Sequence, residues 1–474
     1  MNILKLPELL INRIFILIHN EQISKRLLDL ILVCRFWKVI LNNKFNQLVI
    51  SRPLSNLDVY NRIQFTVKQR FHRIRTLRVS HIAVSKDIED SLSQALRNSC
   101  HYLHSISLIF CNLLDTSVLR IFQISNIQST LLSKIDLSFN RVTIVGFKHL
   151  FQFINQFHNN QIKSLNLSHN ALFINNNSPL LEQQTQPHTI SNNWKIEKLN
   201  ISFNHLMFSN VVDIMKEDGL KWLRVIHLAT ISFGGEGYRY LRNLVRLKVL
   251  TKLDLQLCYL HGDSFQELLE ILSMNPRESN ITDLCLSGQR PINHIIDHLE
   301  RLLVGNDRIL KLNLSNCELS DHSCKRLSQG IENNCSLTDL RVSRNTLTHV
   351  GGGLLLSVCS KSYSLTSLDL SYNQLGPNSC VAIQSFLQQS SNIKSLDISY
   401  NAIKSNDITV IFDSIIHNQT IQYLNLRGNQ FKQTIVLPFY KLVKFKESQK
   451  LVIDISNNSL VFTEKRSHQN LILH

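Results

Sequence analysis

Residues capable of chemistry are plentiful in this 474-residue chain, but their spacing disqualifies most of them. Nineteen histidines and ten cysteines are dispersed. There is no CxxC pair and no Cys/His set at the spacing a tetrahedral zinc ion requires. No G-x-x-x-x-G-K stretch cradles a phosphate, and neither G-x-S-x-G nor H-E-x-x-H occurs. Asp136, Asp254, Asp369, Asp397 and Asp454 fall at one place of a recurring unit, so they are not a general acid–base pair. We expect no catalytic residue, no metal and no cofactor. What recurs instead is the chemistry of binding. Phe110, Phe139, His169, Phe203, Arg344, Tyr372 and Tyr400 each stand one residue before an Asn or Cys of the unit, and Arg341 and Arg427 share their expected face. Exposed aromatics and arginines are typical interface anchors. Phe139, His169, Phe203, Arg341, Arg344, Tyr372, Tyr400 and Arg427 are therefore the candidate substrate-binding residues. The alternative is that an aromatic or His at this place simply belongs to the unit.

The elements that must position these residues are legible from the repeat. LTSLDLSYNQL (365–375) and IKSLDISYNAI (393–403) follow the pattern L-x-x-L-x-L-x-x-N/C-x-L. From Ile309 to Phe431 its second apolar position falls on Leu312, Leu340, Leu368, Leu396 and Leu424, at intervals of 28 residues. In S-L-D-L-S (367–371) the apolar residues alternate, so Leu368 and Leu370 face one side of a short strand. Asn373 sits where the chain leaves the strand. There its amide can satisfy backbone groups whose loss of partners would cost roughly 1–3 kcal/mol each. Ile408, Ile411, Phe412 and Ile415 have helical spacing behind a Ser405-Asn406-Asp407 start, and Pro377 suits a first helical position. A unit of strand, bend and helix cannot bury its own apolar face, so units stack with strands inside and helices outside.

The pattern resembles that of leucine-rich repeats, and the 28-residue Asn-type units are similar to the ribonuclease-inhibitor class. The fold class expected is an α/β leucine-rich-repeat solenoid of about 14 strand–helix units over residues 74–460, with a curved parallel sheet inside. Its second positions are Leu77, Ile106, Ile135, Leu165, Leu199, Ile226, Leu253, Leu284, the five leucines above and Ile453. An Asn/Gln-rich stretch at 174–193 reads as a flexible insertion, and 461–474 as a polar tail. Ile231, Cys258 and Gln289 occupy the Asn place in units six to eight, through drift or through shaping by a ligand. Cysteines at that place, with Cys111 and Cys317, read as buried structural thiols.

Residues 1–45 read as a small all-α domain joined by a connecting or capping segment at 46–73, in which Leu48 and Ile50 form a possible strand. LPELLINRIF (6–15) followed by VCRFW (33–37) resembles an F-box. Leu6, Pro7, Leu10, Ile14, Phe15, Val33, Cys34 and Trp37 fit that pattern, while Leu9 replaces the usual acid. The resemblance implies docking of these residues on a Skp-type adaptor, and through it on the cullin ligase core, with the repeats holding a protein substrate. The competing reading makes these helices only a cap on the first repeat, and the chain a scaffold or inhibitor. Leu9, Ile11, Phe15, Ile16 and Leu17 run almost all round the first helix, which calls for burial on two sides.

Composition sets outer limits. The chain is 43% hydrophobic with a net charge of +16. That charge permits acidic partners, membrane surfaces or nucleic acid without choosing among them. Arg62, Lys68, Arg70, Arg73, Arg75 and Arg78 make one basic stretch, and Arg239, Arg242, Arg246, Lys248 and Lys252 another, expected on the helical side. Either is a solvated face or a contact for an acidic partner. Nucleic acid is not the partner expected. No run reaches the ~18 apolar residues of a membrane span. Unpaired cysteine usage points to a reducing compartment, cytoplasmic or nuclear. A GTPase activator of the same repeat class is disfavoured because the chain is basic and its tail is not acidic.

Overall fold

The computed structural model describes residues 47–51, 75–99, 102–123, 131–155, 162–172, 195–234, 237–260, 262–274, 276–290, 295–445, 451–460 and 471–472. Leu6, Pro7, Leu10, Ile14, Phe15, Val33, Cys34 and Trp37 lie outside these residues, as do the 174–193 insertion and most of 46–73.

Sixteen strands among the described residues form one parallel sheet in the order of the chain. The register follows the repeat. Leu284, Leu312, Leu340 and Leu368 pair in turn across adjacent strands. Leu396, Leu424 and Ile453 continue the same row. Each of these residues is at most 3% exposed. Parallel pairing requires a crossover between neighbours, and helices supply it, as in Asp321–Glu332, His349–Ser360 and Ser405–His417. Ile408, Ile411, Phe412 and Ile415 are buried against the sheet as their spacing requires. Successive helices pack side by side. Helices sit 8–10 Å apart and strands about 4.8 Å, so the stack curves with the sheet on its concave side. The architecture is a leucine-rich-repeat solenoid.

The strand expected at Leu48 and Ile50 forms as Gln47–Ser51 and extends the sheet ahead of the first unit, pairing Leu48 with Leu77. Two details differ from the sequence reading. Leu471–Ile472, assigned to the polar tail, pairs with Val452–Asp454. That apolar pair covers part of what would otherwise be an open sheet edge. Pro377 opens a 3-10 turn, Pro377–Ser379, and the α-helix follows only at Cys380.

The units are also fastened between helix starts. Asp321 accepts hydrogen bonds from Thr348 N (2.9 Å), Thr348 Oγ1 (2.5 Å) and Gly351 N (3.0 Å) of the following unit. Asp115 holds Thr143 in the same way. A Cβ on Gly351 or Gly146 would collide with the clasping carboxylate, which accounts for glycine at both places.

Candidate functional site

The place before each Asn bends the strand into the following segment, and its backbone is left-handed throughout. φ is 54° at Phe110, 57° at Phe139, 53° at His169, 58° at Phe203, 55° at Arg344, 54° at Tyr372 and 53° at Tyr400. Bulky residues rarely adopt this conformation and do so only where surroundings enforce it. Two sets of bonds enforce it here. The N–H of each such residue donates to the next unit, as Phe139 N does to Ser168 O (2.9 Å) and Tyr372 N to Ser399 O (2.9 Å). The buried Asn that follows ties down the bend. Asn373 Nδ2 donates to Leu370 O (2.9 Å) and Val342 O (3.1 Å), and its Oδ1 accepts from Leu347 N (3.2 Å).

Identical geometry in successive units stacks the side chains along the edge where the strands end. Phe139 and His169 meet at 4.0 Å between ring centroids, and His169 and Phe203 at 4.3 Å. Phe110 adds 4.2 Å on the near side of Phe139, and His81 stacks on Phe110 at 4.9 Å. The structure thus brings Phe139, His169 and Phe203 together with Phe110. His81 was missed because Ile82, not Asn or Cys, follows it. Its register position two residues beyond Val79 was the available signal. Burial pushes the His169 imidazole pKa down, favouring its neutral form within the stack.

A second cluster lies further along the same edge. The Arg344 guanidinium sits 4.1 Å over Tyr372, and Tyr372 stacks on Tyr400 at 4.2 Å. Arg427 Nε donates to Tyr400 Oη (3.2 Å), and the Asn457 amide lies 3.0 Å from the same hydroxyl. Gly428 follows Arg427 with φ 64°, and a Cβ there would enter the Tyr400 ring. Arg341 is not part of this cluster: it projects from its strand and pairs with Asp339 at 3.1 Å. Thr230, Leu257, Gly288 and Asn316 separate the two clusters, since none offers a ring.

Units six to eight are less degenerate in function than in sequence. Gln289 performs the Asn task, accepting from Leu260 N (3.0 Å) and donating to Leu255 O (2.5 Å). Cys258 Sγ donates to Leu228 O (3.1 Å) and Cys317 Sγ to Leu286 O (3.3 Å). On the concave face His227 Nδ1 lies 2.9 Å from Asp254 Oδ2, with Cys285 on the next strand. Burial pushes the Asp254 carboxyl pKa up, but hydrogen bonds from His227 and Gln256 N–H outweigh it and hold it below the usual range. Burial, then the Asp254 charge, pushes the Cys285 thiol up to about 12. A thiol beside a carboxylate is not an activated nucleophile. Among the described residues no group of three His, Cys, Asp or Glu could hold a metal ion.

The basic residues of the middle units are largely engaged. Arg246 pairs with Glu278 (3.4 Å) and Lys248 donates to Arg277 O (2.6 Å). Lys252 lies on a strand rather than on the helical side, because Leu253 fixes the register, and it pairs with Asp283 (3.0 Å). No helix of the described residues is long and apolar enough to cross a membrane.

Residues 361–383, 389–411 and 417–437 match the family model described as Leucine Rich repeat. No curated protein matches the chain. Solved structures similar to it include leiomodin-1 actin-binding site 2, at 14% identity over 34% of this chain and 91% of that one, with a TM-score of 0.29. An internalin, inlF, from Listeria monocytogenes str. 4b F2365 aligns over 89% of this chain and 94% of its own at 13% identity, TM-score 0.37. A TLR13–ssRNA13 complex aligns over 85% of this chain at 15% identity, TM-score 0.42, and the alignment spans 56% of that longer chain. The chain carries leucine-rich repeats.

Proposed function

We propose that the chain is the substrate-recognition adaptor of an SCF-type ubiquitin ligase. Residues 1–45 dock on a Skp-type adaptor, and the concave repeat face binds a protein substrate. The observation that carries this reading is the sequence LPELLINRIF followed by VCRFW, placed directly ahead of the sheet that begins at Gln47. Leu6, Pro7, Leu10, Ile14, Phe15, Val33, Cys34 and Trp37 form the adaptor-facing surface. Phe139, His169, Phe203, Arg344, Tyr372, Tyr400 and Arg427 supply the substrate contacts, with Arg341 at their margin. The chain catalyses nothing itself. It holds a substrate lysine near the charged ubiquitin-carrying enzyme, an effect of proximity. Both partners place it in the cytoplasm or nucleus.

The test is reconstitution. The full chain is mixed with purified Skp-type adaptor and cullin–RING core and resolved by size-exclusion chromatography. Co-elution supports the proposal. Elution of the chain alone, with its sheet intact by circular dichroism, overturns it. The N-terminal residues are then a cap and the chain a scaffold or inhibitor.

A further inference from the structure

The aromatic edge of the early units is exposed as well as ordered. Phe110 is 46% exposed, Phe139 37% and Phe203 39%, and Leu114 and Met207, four residues after the outer two, are as open. The rings lie nearly parallel, at interplanar angles of 9° to 18°, so their faces are spent on one another. What a partner meets is the ring rims. The rim of an aromatic quadrupole is its positive part and attracts carboxylate oxygens or the face of another ring.

The floor beside this edge carries charge of the same sign. Arg78, Lys134 and Lys198 project from the concave side of their strands, because Leu77, Ile135 and Leu199 point inward. All three are exposed, and none makes an ion pair among the described residues. One acid, Asp136, stands among these three cations, and its Oδ1 accepts from Ser138 N–H (3.1 Å) and Oγ (2.7 Å). Lys134 and Lys198 share a register row with Ser164 between them, which puts them about 10 Å apart. That separation equals roughly three residues of extended chain. Later units repeat the acid of the Asp136 place: Asp369 and Asp397 are register neighbours, and each accepts from the serine two residues on just as Asp136 does.

We propose that the His81–Phe203 edge, with Arg78, Lys134 and Lys198, docks an acidic polypeptide segment bearing apolar side chains. Carboxylates of the segment meet the cations and ring rims, and its apolar side chains cover the exposed Phe surface. Single-stranded nucleic acid fits less well, because bases need open ring faces to stack on and those of Phe110, Phe139 and His169 are covered on both sides. This inference deepens the reading of the solenoid as the substrate-holding half and rests on that part of it. It does not require adaptor binding by residues 1–45.

The experiment pans the full chain against a random 16-residue peptide display library, with no adaptor present. The most enriched peptide is synthesised, labelled and titrated by fluorescence anisotropy. Two variants are compared: Arg78→Glu/Lys134→Glu/Lys198→Glu, and Phe110→Asn/Phe139→Asn/Phe203→Asn. Asn already occupies this left-handed place at 316 and 457, so the second variant preserves the backbone. Peptides rich in Asp or Glu together with Phe, Leu or Trp, weakened at least tenfold by both variants, are expected. The charge variant alone decides if the Phe variant unfolds. Enriched peptides without acidic excess, affinity unmoved by the charge variant, or binding of a 20-nucleotide oligothymidine in place of peptides would each overturn the proposal. Failure of adaptor binding leaves these results untouched, so the two claims fail separately.

Discussion

Replacing Asn345 by Ala should open the solenoid locally, and the structure sets the size of the effect. Asn345 Oδ1 accepts from Cys317 N (2.9 Å) and Leu319 N (3.0 Å) of the preceding unit. Its Nδ2 donates to Leu314 O (3.0 Å), Val342 O (2.8 Å) and Ser343 O (3.2 Å). The side chain is buried, so Ala leaves two N–H groups without an acceptor. Each costs about 1–3 kcal/mol, and the lost carbonyl contacts add less because Val342 O keeps Asn373 Nδ2. A loss of about 4 kcal/mol is expected, equivalent to about a thousandfold in an opening equilibrium. Repeat arrays do not unfold as one unit, so a global midpoint would dilute the effect. The assay is amide hydrogen exchange at Cys317 and Leu319, with Arg344→Ala, an exposed neighbour, as control. Acceleration below tenfold at these two amides, or equal acceleration in the control, would refute the reasoning.

Two further outcomes follow from the site. Asp254 has a folded pKa below its ordinary value, so the stability it contributes is present above the unfolded pKa and is lost as pH falls through the folded one. Asp254→Asn should therefore flatten the acid limb of the stability curve below about pH 4, measured as midpoint against pH, and leave a steep limb only if other carboxylates dominate. Among the eight described cysteines Cys335 is exposed, whereas Cys258 and Cys359 are buried and burial raises both thiols, Cys359 to about 12. Iodoacetamide at neutral pH should label Cys335 and spare those two, as read by peptide mass mapping.

The second apolar positions were legible because a residue that must point into the core every 28 residues cannot drift without breaking register, and Leu312 to Leu424 keep it without a slip. The Asn ladder was legible for a similar reason, since the short Asn373 amide donates to two carbonyls through Nδ2 while its Oδ1 accepts from an N–H of the preceding unit. Gln289 was less so: one further methylene carries the same amide, and only the observed contacts to Leu260 and Leu255 show that it reaches. Phe139, His169 and Tyr372 could be placed on an edge from their position in the unit. That they stack on one another depends on the left-handed backbone at each, which no residue type announces, since Phe and Tyr ordinarily avoid it. Leu471 and Ile472 escaped notice because two apolar residues after a polar run carry no periodicity. That Lys134 and Lys198 share a row of the concave face needed the register, because the whole of one unit and the 174–193 stretch separate them in sequence.

The most direct measurement of the central claim is calorimetric titration of a purified Skp-type adaptor into the full chain, wild type against Pro7→Ala/Ile14→Asp/Phe15→Asp. The account predicts saturable one-to-one binding by the wild type and its loss in the variant, with the circular dichroism of the repeats unchanged. Absence of binding by the wild type, or equal binding by the variant, would contradict it.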